Sequence, residues 1–415
     1  MKNGSTYRPE IPGKTQTQTV SMTFTLFPEN ITVSPHASTT FLSVTSIVTN
    51  LDSLSGFVPA CPDSVQCSLA QYNLAVGLGP KNLFESHSRA WAEIWKSGIE
   101  VSNNRFASLR INSSLYYLLS SVRQDFNYPP TPGGLTSGYR GTAFWDTDFW
   151  MIPGLLTFPE IISATMNFRF ERMQPAAEKA KEYHHRGLMY PWESGNSGYE
   201  VAASAFCRIF ELHISGDIAY SVNLFWSLTK NHTWLEQIGL PMMEGIAEFW
   251  ASRTSHDPLL DRYSIRHVLP PDEFAVGFPI PDGIDNSVFT NSIAKIAMTH
   301  AMEARAQLYL HKKNRREEKG SRPSHVHINA DIGKKEKMIS VGGKLIPELS
   351  LSPTAASQNW TDIVNKLVVL YDEKKNIHPE YENFPIGNTD FKFMVKQADT
   401  VLLGFPLGIE VSSAI

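Results

Sequence analysis

The sequence predicts a mainly α fold, a helical toroid preceded by a short β segment, and three observations predict it. Apolar and polar residues alternate near the start of the chain, at Met22, Phe24 and Leu26 against Thr23 and Thr25. Apolar residues at spacings of three and four then recur in segment after segment. Between those segments run long loops rich in Gly, Pro and Asp, and loops of that length inside a compact domain usually carry function.

The β segment comes first. Besides Met22 to Leu26, Phe41 to Val48 is rich in β-branched residues, as half-buried strands are. Two or three strands do not make a sandwich alone, so residues 1–70 are expected to be the remnant of a β-sandwich with its linker, and 71–415 the helical domain. From about Lys81 the period changes: Leu83, Phe84, Ala90, Trp91, Ile94 and Trp95 share one helical face. Helices are expected again over Phe106–Val122, Pro159–Met173, Val201–Leu228, Pro241–Arg253 and Val288–Leu310. The stretch 311–351, with Lys312-Lys313-Asn314-Arg315-Arg316 and Lys334-Lys335-Glu336-Lys337, reads as a charged, mobile insertion. His325-Val326-His327 within it is assigned no function.

Composition narrows the partners. Across 415 residues, 42% are hydrophobic and 19% charged, which suits a globular chain with a sizeable core. A net charge of -4 provides no basic field for nucleic acid or anionic lipid, so neither nucleic acid nor membrane is expected as a partner. Cys61, Cys67 and Cys207 fit no zinc pattern or disulfide framework, although Cys61 and Cys67 are placed to close a small loop. No metal or cofactor is called for. No signal peptide or membrane-spanning run is visible, and the compartment stays open.

The chemistry-bearing residues lie in the loops. Phe144-Trp145-Asp146-Thr147-Asp148-Phe149-Trp150 sets two acids among four aromatic rings. Ring faces cover the apolar face of a sugar and carboxylates accept its hydroxyl protons. A helix start in which the rings pack and Asp146 or Asp148 caps would give the same text. Trp192-Glu193-Ser194-Gly195 repeats the pairing of ring and acid, though a buried Trp beside a surface Glu reads alike. Pro270-Pro271-Asp272-Glu273-Phe274 holds a carboxyl in a Pro-fixed loop beside a ring, a setting that suits a general acid. Asn286 and Asn291 are placed either to orient that acid or to cap the helix from Val288. Lys396-Gln397 supplies several donors for a polyhydroxylated ligand or a phosphate, and a solvated helix turn fits it equally well.

Taken together and in order, Phe144-Trp145-Asp146-Thr147-Asp148, Trp192-Glu193-Ser194-Gly195, Pro271-Asp272-Glu273-Phe274 with Asn286 to Asn291, and Lys396-Gln397-Ala398-Asp399 resemble glycoside hydrolase family 65. The resemblance runs from roughly Phe41 to Pro406. It implies a β-sandwich followed by an (α/α)6 barrel with the site in the barrel mouth. It further implies Glu273 as general acid and Trp145, Asp146, Lys396 and Gln397 as substrate contacts, to which Trp192 and Glu193 are added. The implied reaction is inverting removal of α-linked glucose from glucosyl-galactosyl-hydroxylysine units of collagen-type glycans. Glu273 would protonate the leaving oxygen while a second carboxylate activates water. Other members of the family are disaccharide phosphorylases.

The chain departs from the family pattern in three places. Ala275 stands where a His commonly follows the aromatic residue, and the loop from Glu273 to Asn286 is longer than usual. The family's base lies well beyond the Lys-Gln-Ala-Asp motif, so a chain ending at Ile415 is expected to be truncated at both ends, an incomplete barrel without that base. The alternatives are then a non-catalytic sugar-binding fragment, a base drawn from Asp148 or Glu193, or a disaccharide phosphorylase.

Overall fold

The computed structural model describes residues 1–11, 13–52, 63–123, 126, 128–136, 138–275, 282–318, 338–341, 344–347, 360–388 and 395–409. It forms two compact units, Met1–Tyr128 and Pro129–Ile415.

In the first unit, strands β1 (Lys2–Ser5), β2 (Thr19–Phe24) and β3 (Thr45–Thr49) make one antiparallel sheet in the order β1-β2-β3, with Met22 opposite Ile47. The alternation seen in the sequence is present, but the face it buries is the hydroxyl face: Ser21, Thr23 and Ser46 are buried. They are satisfied by helix α1 (Ser64–Ile94), where Ser64 meets Ser21 at 2.8 Å and Ser68 donates to Thr23 at 2.9 Å. Helix α1 begins well before Lys81. It bends at Gly79, whose φ of 70° opens a helix break that the ring of Pro80 then enforces. Helix α2 (Arg105–Ser120) starts on the Asn104 side chain, which accepts from the Ala107 N–H.

The second unit is helical. Its framework is α3 (Pro159–Glu171), α4 (Met173–Glu182), α5 (Ala205–Phe210), α6 (Ile214–Thr229), α7 (Leu240–Arg253) and α8 (Val288–Glu318). The single helix expected over Val201–Leu228 is two helices. Val201 to Ser204 are held in a loop, and Glu211 (φ -84°, ψ 79°) leaves the helical region between α5 and α6. Helix α8 packs on α6 and α7. The approach to α6 is close: a Cβ on Gly216 would sit 2.7 Å from Ile293. Phe149, Phe158, Phe168, Phe249, Trp250 and Phe289 are fully buried and form the core around these helices.

Shorter pieces complete the unit. The hairpin of β4 (Ser255–Asp257) and β5 (Arg262–Ser264) packs through β5 on helix α9 (Trp360–Lys366), which packs on α8, and α10 (Asp399–Gly404) follows the Lys-Gln-Ala motif. Strands β6 (Met338–Val341) and β7 (Lys344–Pro347) pair antiparallel inside the expected charged insertion. Most of that insertion, including His325 and His327, lies outside the described residues, as does Cys61. Among the described residues no helix is long and apolar enough to cross a membrane.

Candidate active site

The ring-and-acid stretch forms one wide turn. Asp146–Met151 is a π-helical turn that runs on into Ile152–Gly154, and neither acid caps it, since no side chain bonds the helix start. The two acids part company. Asp148 is fully buried and paired with Arg169, which also donates to Ser194 at 3.0 Å. Asp146 is only half-buried. Trp145 is buried among Phe149, Trp150, Phe289 and His213. An acid locked in a dry ion pair is a structural group, so Asp148 is unsuited to activate water.

The second ring-and-acid loop is stitched to the first. Ala143 and Ser194 exchange both backbone hydrogen bonds, at 3.0 and 2.7 Å. Glu200 organises the rest: its carboxylate accepts the N–H groups of Trp192 at 2.8 Å and of Glu193 and Ala202 at 3.1 Å, and it pairs with Lys179 at 2.6 Å. Nothing local in the sequence marks Glu200 for this role. Trp192 is buried, edge-on to Phe144 and His213. Glu193 is taken up by Arg140 at 2.8 Å and Thr142 at 3.2 Å.

Two loops far apart in sequence are clamped together around Glu273. Oδ1 of buried Asp272 accepts the N–H groups of Phe274 (3.2 Å), Lys396 (3.0 Å) and Gln397 (3.4 Å). The Gln397 amide donates to the Pro271 carbonyl at 2.7 Å, and Asp399 accepts the Asp272 N–H at 3.3 Å. This clamp sets the Lys396 ammonium 2.6 Å from Glu273 Oε2 and 5.6 Å from the centre of the Phe274 ring. Both charged side chains remain 40% exposed, open to a ligand from outside. Asn286 and Asn291 have a different task from orienting Glu273. Asn286 bonds Glu382 and Ile265, Asn291 bonds Asn286 and the Val368 carbonyl, and the cap of α8 comes from Ser287.

Electrostatic couplings run between these pieces. Burial raises the pKa of Asp146; the charge of Glu273 adds to that rise, while the Asp146 N–H and His213 oppose it. The bond to Glu273 raises Lys396. Glu211, between α5 and α6, is buried, with the Cys207 thiol as its neighbour. Burial raises its pKa well above the carboxylate range; the charge on Glu273 adds to the rise, and the Cys207 thiol and Lys396 pull it partly back. Beneath the clamp, burial lifts Asp272, Asp399 and Glu380, the last to about 7 with help from the Asp272 charge.

Of the residues singled out in the sequence, Glu273, Lys396 and Gln397 come together directly, and Asp146 reaches Glu273 through its charge. Trp145 and Trp192 meet at His213, and Glu193 is joined to Arg140 and Thr142 rather than to Glu273. Three groups escaped sequence reasoning: Glu211, Glu380 and the His213–Asp217 pair. For the last a signal exists, since His213 and Asp217 are ionisable residues four apart at the start of a helix whose other buried residues are uncharged. Among the described residues, no group of three His, Cys, Asp or Glu is arranged to hold a metal ion.

The central catalytic domain of glycosyl hydrolase family 65 matches residues 113–414. A protein-glucosylgalactosylhydroxylysine glucosidase of Dictyostelium discoideum is 35% identical over 400 residues, covering 95% of this chain and 47% of that protein. A kojibiose hydrolase of Mucilaginibacter mallensis is 38% identical over 220 residues, 52% of this chain and 32% of the relative. The chain thus spans about half the length, or less, of these relatives. Among solved structures, "Putative kojibiose phosphorylase from human microbiome" superposes with a TM-score of 0.64 at 16% identity, covering 92% of this chain and 51% of that one. That likeness is one of fold, and the expected mainly α barrel architecture with N-terminal strands is borne out.

Proposed function

Because this chain belongs to glycosyl hydrolase family 65, we propose that it acts in the inverting removal of α-linked glucose from glucosyl-galactosyl-hydroxylysine units of collagen-type glycans. The observation that carries the reading is the Glu273–Lys396 pair, 2.6 Å apart on two loops clamped by Asp272. Glu273 is the general acid, which protonates the departing galactosyl oxygen. Lys396 and Gln397, as donors, and Asp146, as acceptor, hold the glucose hydroxyls, and Trp145 and Trp192 give the subsite its aromatic wall. Glu193, steadied by Arg140 and Thr142, is the remaining acceptor proposed for the substrate.

Inversion needs a second carboxylate to activate water on the opposite face of the ring. Asp148 is sealed in a dry pair with Arg169, so it is not assigned that task. The experiment is release of free glucose from an α1,2-glucosyl-galactosyl-hydroxylysine substrate. Glu273→Gln should lower turnover by about a hundredfold or more while sparing binding, the range for loss of a general acid. Unchanged turnover in that variant refutes the assignment. Binding without turnover in the wild-type chain supports the sugar-binding alternative, and phosphate-dependent release of glucose 1-phosphate identifies a phosphorylase.

A further inference from the structure

His213 stands just before α6 with no accessible surface, and its Nδ1 lies 2.7 Å from Asp217 Oδ2, one turn further on. Its other ring nitrogen, Nε2, has no partner, and neither has Asp217 Oδ1. An unpaired buried polar atom costs about 1–3 kcal/mol. A phenylalanine would fill the same slot without that penalty, so packing alone does not account for an imidazole here.

The surroundings show what the imidazole serves. It meets Trp145 at 5.2 Å, Trp192 at 5.3 Å and Phe289 at 5.4 Å between ring centres, each near edge-on, with interplanar angles of 87°, 68° and 88°. One tryptophan from each of the two ring-and-acid loops therefore rests on the same histidine. Asp146, the residue after Trp145, is subject to the charge of His213, which favours the carboxylate against burial and against Glu273.

We propose that His213, oriented by Asp217, is a positioning residue of the glucose site. It acts through the Trp145 and Trp192 indoles, whose angle it sets, and through Asp146, whose carboxylate it supports with positive polarity. The inference rests on the reading of these three residues as sugar-binding.

The test is calorimetric titration of the full chain with glucose and with α1,2-glucosyl-galactose, repeated from acid to neutral pH, for wild type, His213→Phe and Asp217→Asn. Thermal melting serves as the folding control. His213→Phe is expected to weaken binding about tenfold or more, equivalent to about 1.4 kcal/mol, and Asp217→Asn to weaken it less. In His213→Phe the pH below which binding fails should move upward, because Asp146 then faces Glu273 without the opposing His213; in Asp217→Asn the imidazole remains but loses its anionic partner, so the same move should be smaller, and a loss of packing alone would not move that pH. If wild type binds and both variants match it in affinity and pH midpoint, the inference is overturned and the sugar reading stands. Should His213→Phe not fold, Asp217→Asn decides by the same criterion. If wild type binds neither sugar, both the reading and the inference fall.

Discussion

Replacing Asp272 by alanine should release the clamp that holds Glu273 against Lys396. One buried carboxylate oxygen accepts three backbone N–H groups, two of which lie more than a hundred residues away, at Lys396 and Gln397. Hydrogen bonds to a charged acceptor contribute about 1.5–3 kcal/mol each, and an N–H left unpaired in the interior costs a similar amount. The bonds at 3.2 and 3.4 Å are long, and removing the charge relieves its repulsion of Glu380. The net loss is therefore expected to be about 2–4 kcal/mol. Because 1.4 kcal/mol is a factor of ten, protection of the Lys396 and Gln397 amides against hydrogen exchange should fall by roughly 30- to 700-fold. Asp272→Asn keeps an acceptor oxygen in place and removes the repulsion, so its exchange should stay within about tenfold of wild type. Equal effects of alanine and asparagine would refute the reasoning, since charge and not geometry would then hold the clamp. Unchanged protection in the alanine variant would refute it outright.

Two further outcomes follow from buried charge. Arg169→Met should destabilise the protein by about 3–5 kcal/mol, because it strands the Asp148 carboxylate in the core, whereas Arg169→Met with Asp148→Leu should recover most of that; chemical denaturation of the two variants compares them. Glu380 bears on pH. Its folded pKa of about 7 lies above its unfolded value of 4.5, so its contribution is fully present below about pH 4.5 and is lost as pH rises through about 7, a change of roughly 3–4 kcal/mol. Glu380→Gln, free of this titration, should gain stability relative to wild type between about pH 4.5 and 8, and a stability difference between the two that stays constant over that window would refute the assignment.

Local text made much of this protein legible. The helices over Phe106–Val122, Pro159–Met173 and Pro241–Arg253 are found within a few residues of their expected bounds, because an amphipathic repeat is written in neighbouring residues. The loops bearing Trp145, Trp192 and Glu273 were marked by paired ring and acid, whereas Lys396 stood out only by its place in the order of motifs; the structure joins the first two through Ala143 and Ser194 and the last two through Asp272. The strands near the N-terminus were legible by period but not by face. Alternation does not say which side is buried, and here Ser64 and Ser68 of α1 satisfy the hydroxyl side. The break at Glu211 was hidden for a related reason, since the helical repeat runs on across it while the chain turns.

By itself, then, the sequence determined the helical class, the family and the set of loops that carry the site, since each of these rests on residues close together in the chain or on motifs in a fixed order. Only the tertiary structure decided what each acid does. Asp146, Asp148, Glu193, Glu211, Asp272 and Glu273 are alike on paper. Folding seats Asp148 on Arg169, buries Glu211 without a cation bound to it, makes Asp272 the clamp, and places Glu273 beside a lysine 123 residues away. The physical reason is that a carboxyl group's charge state and availability are set by burial and by partners brought from distant parts of the chain, neither of which any local stretch of sequence contains.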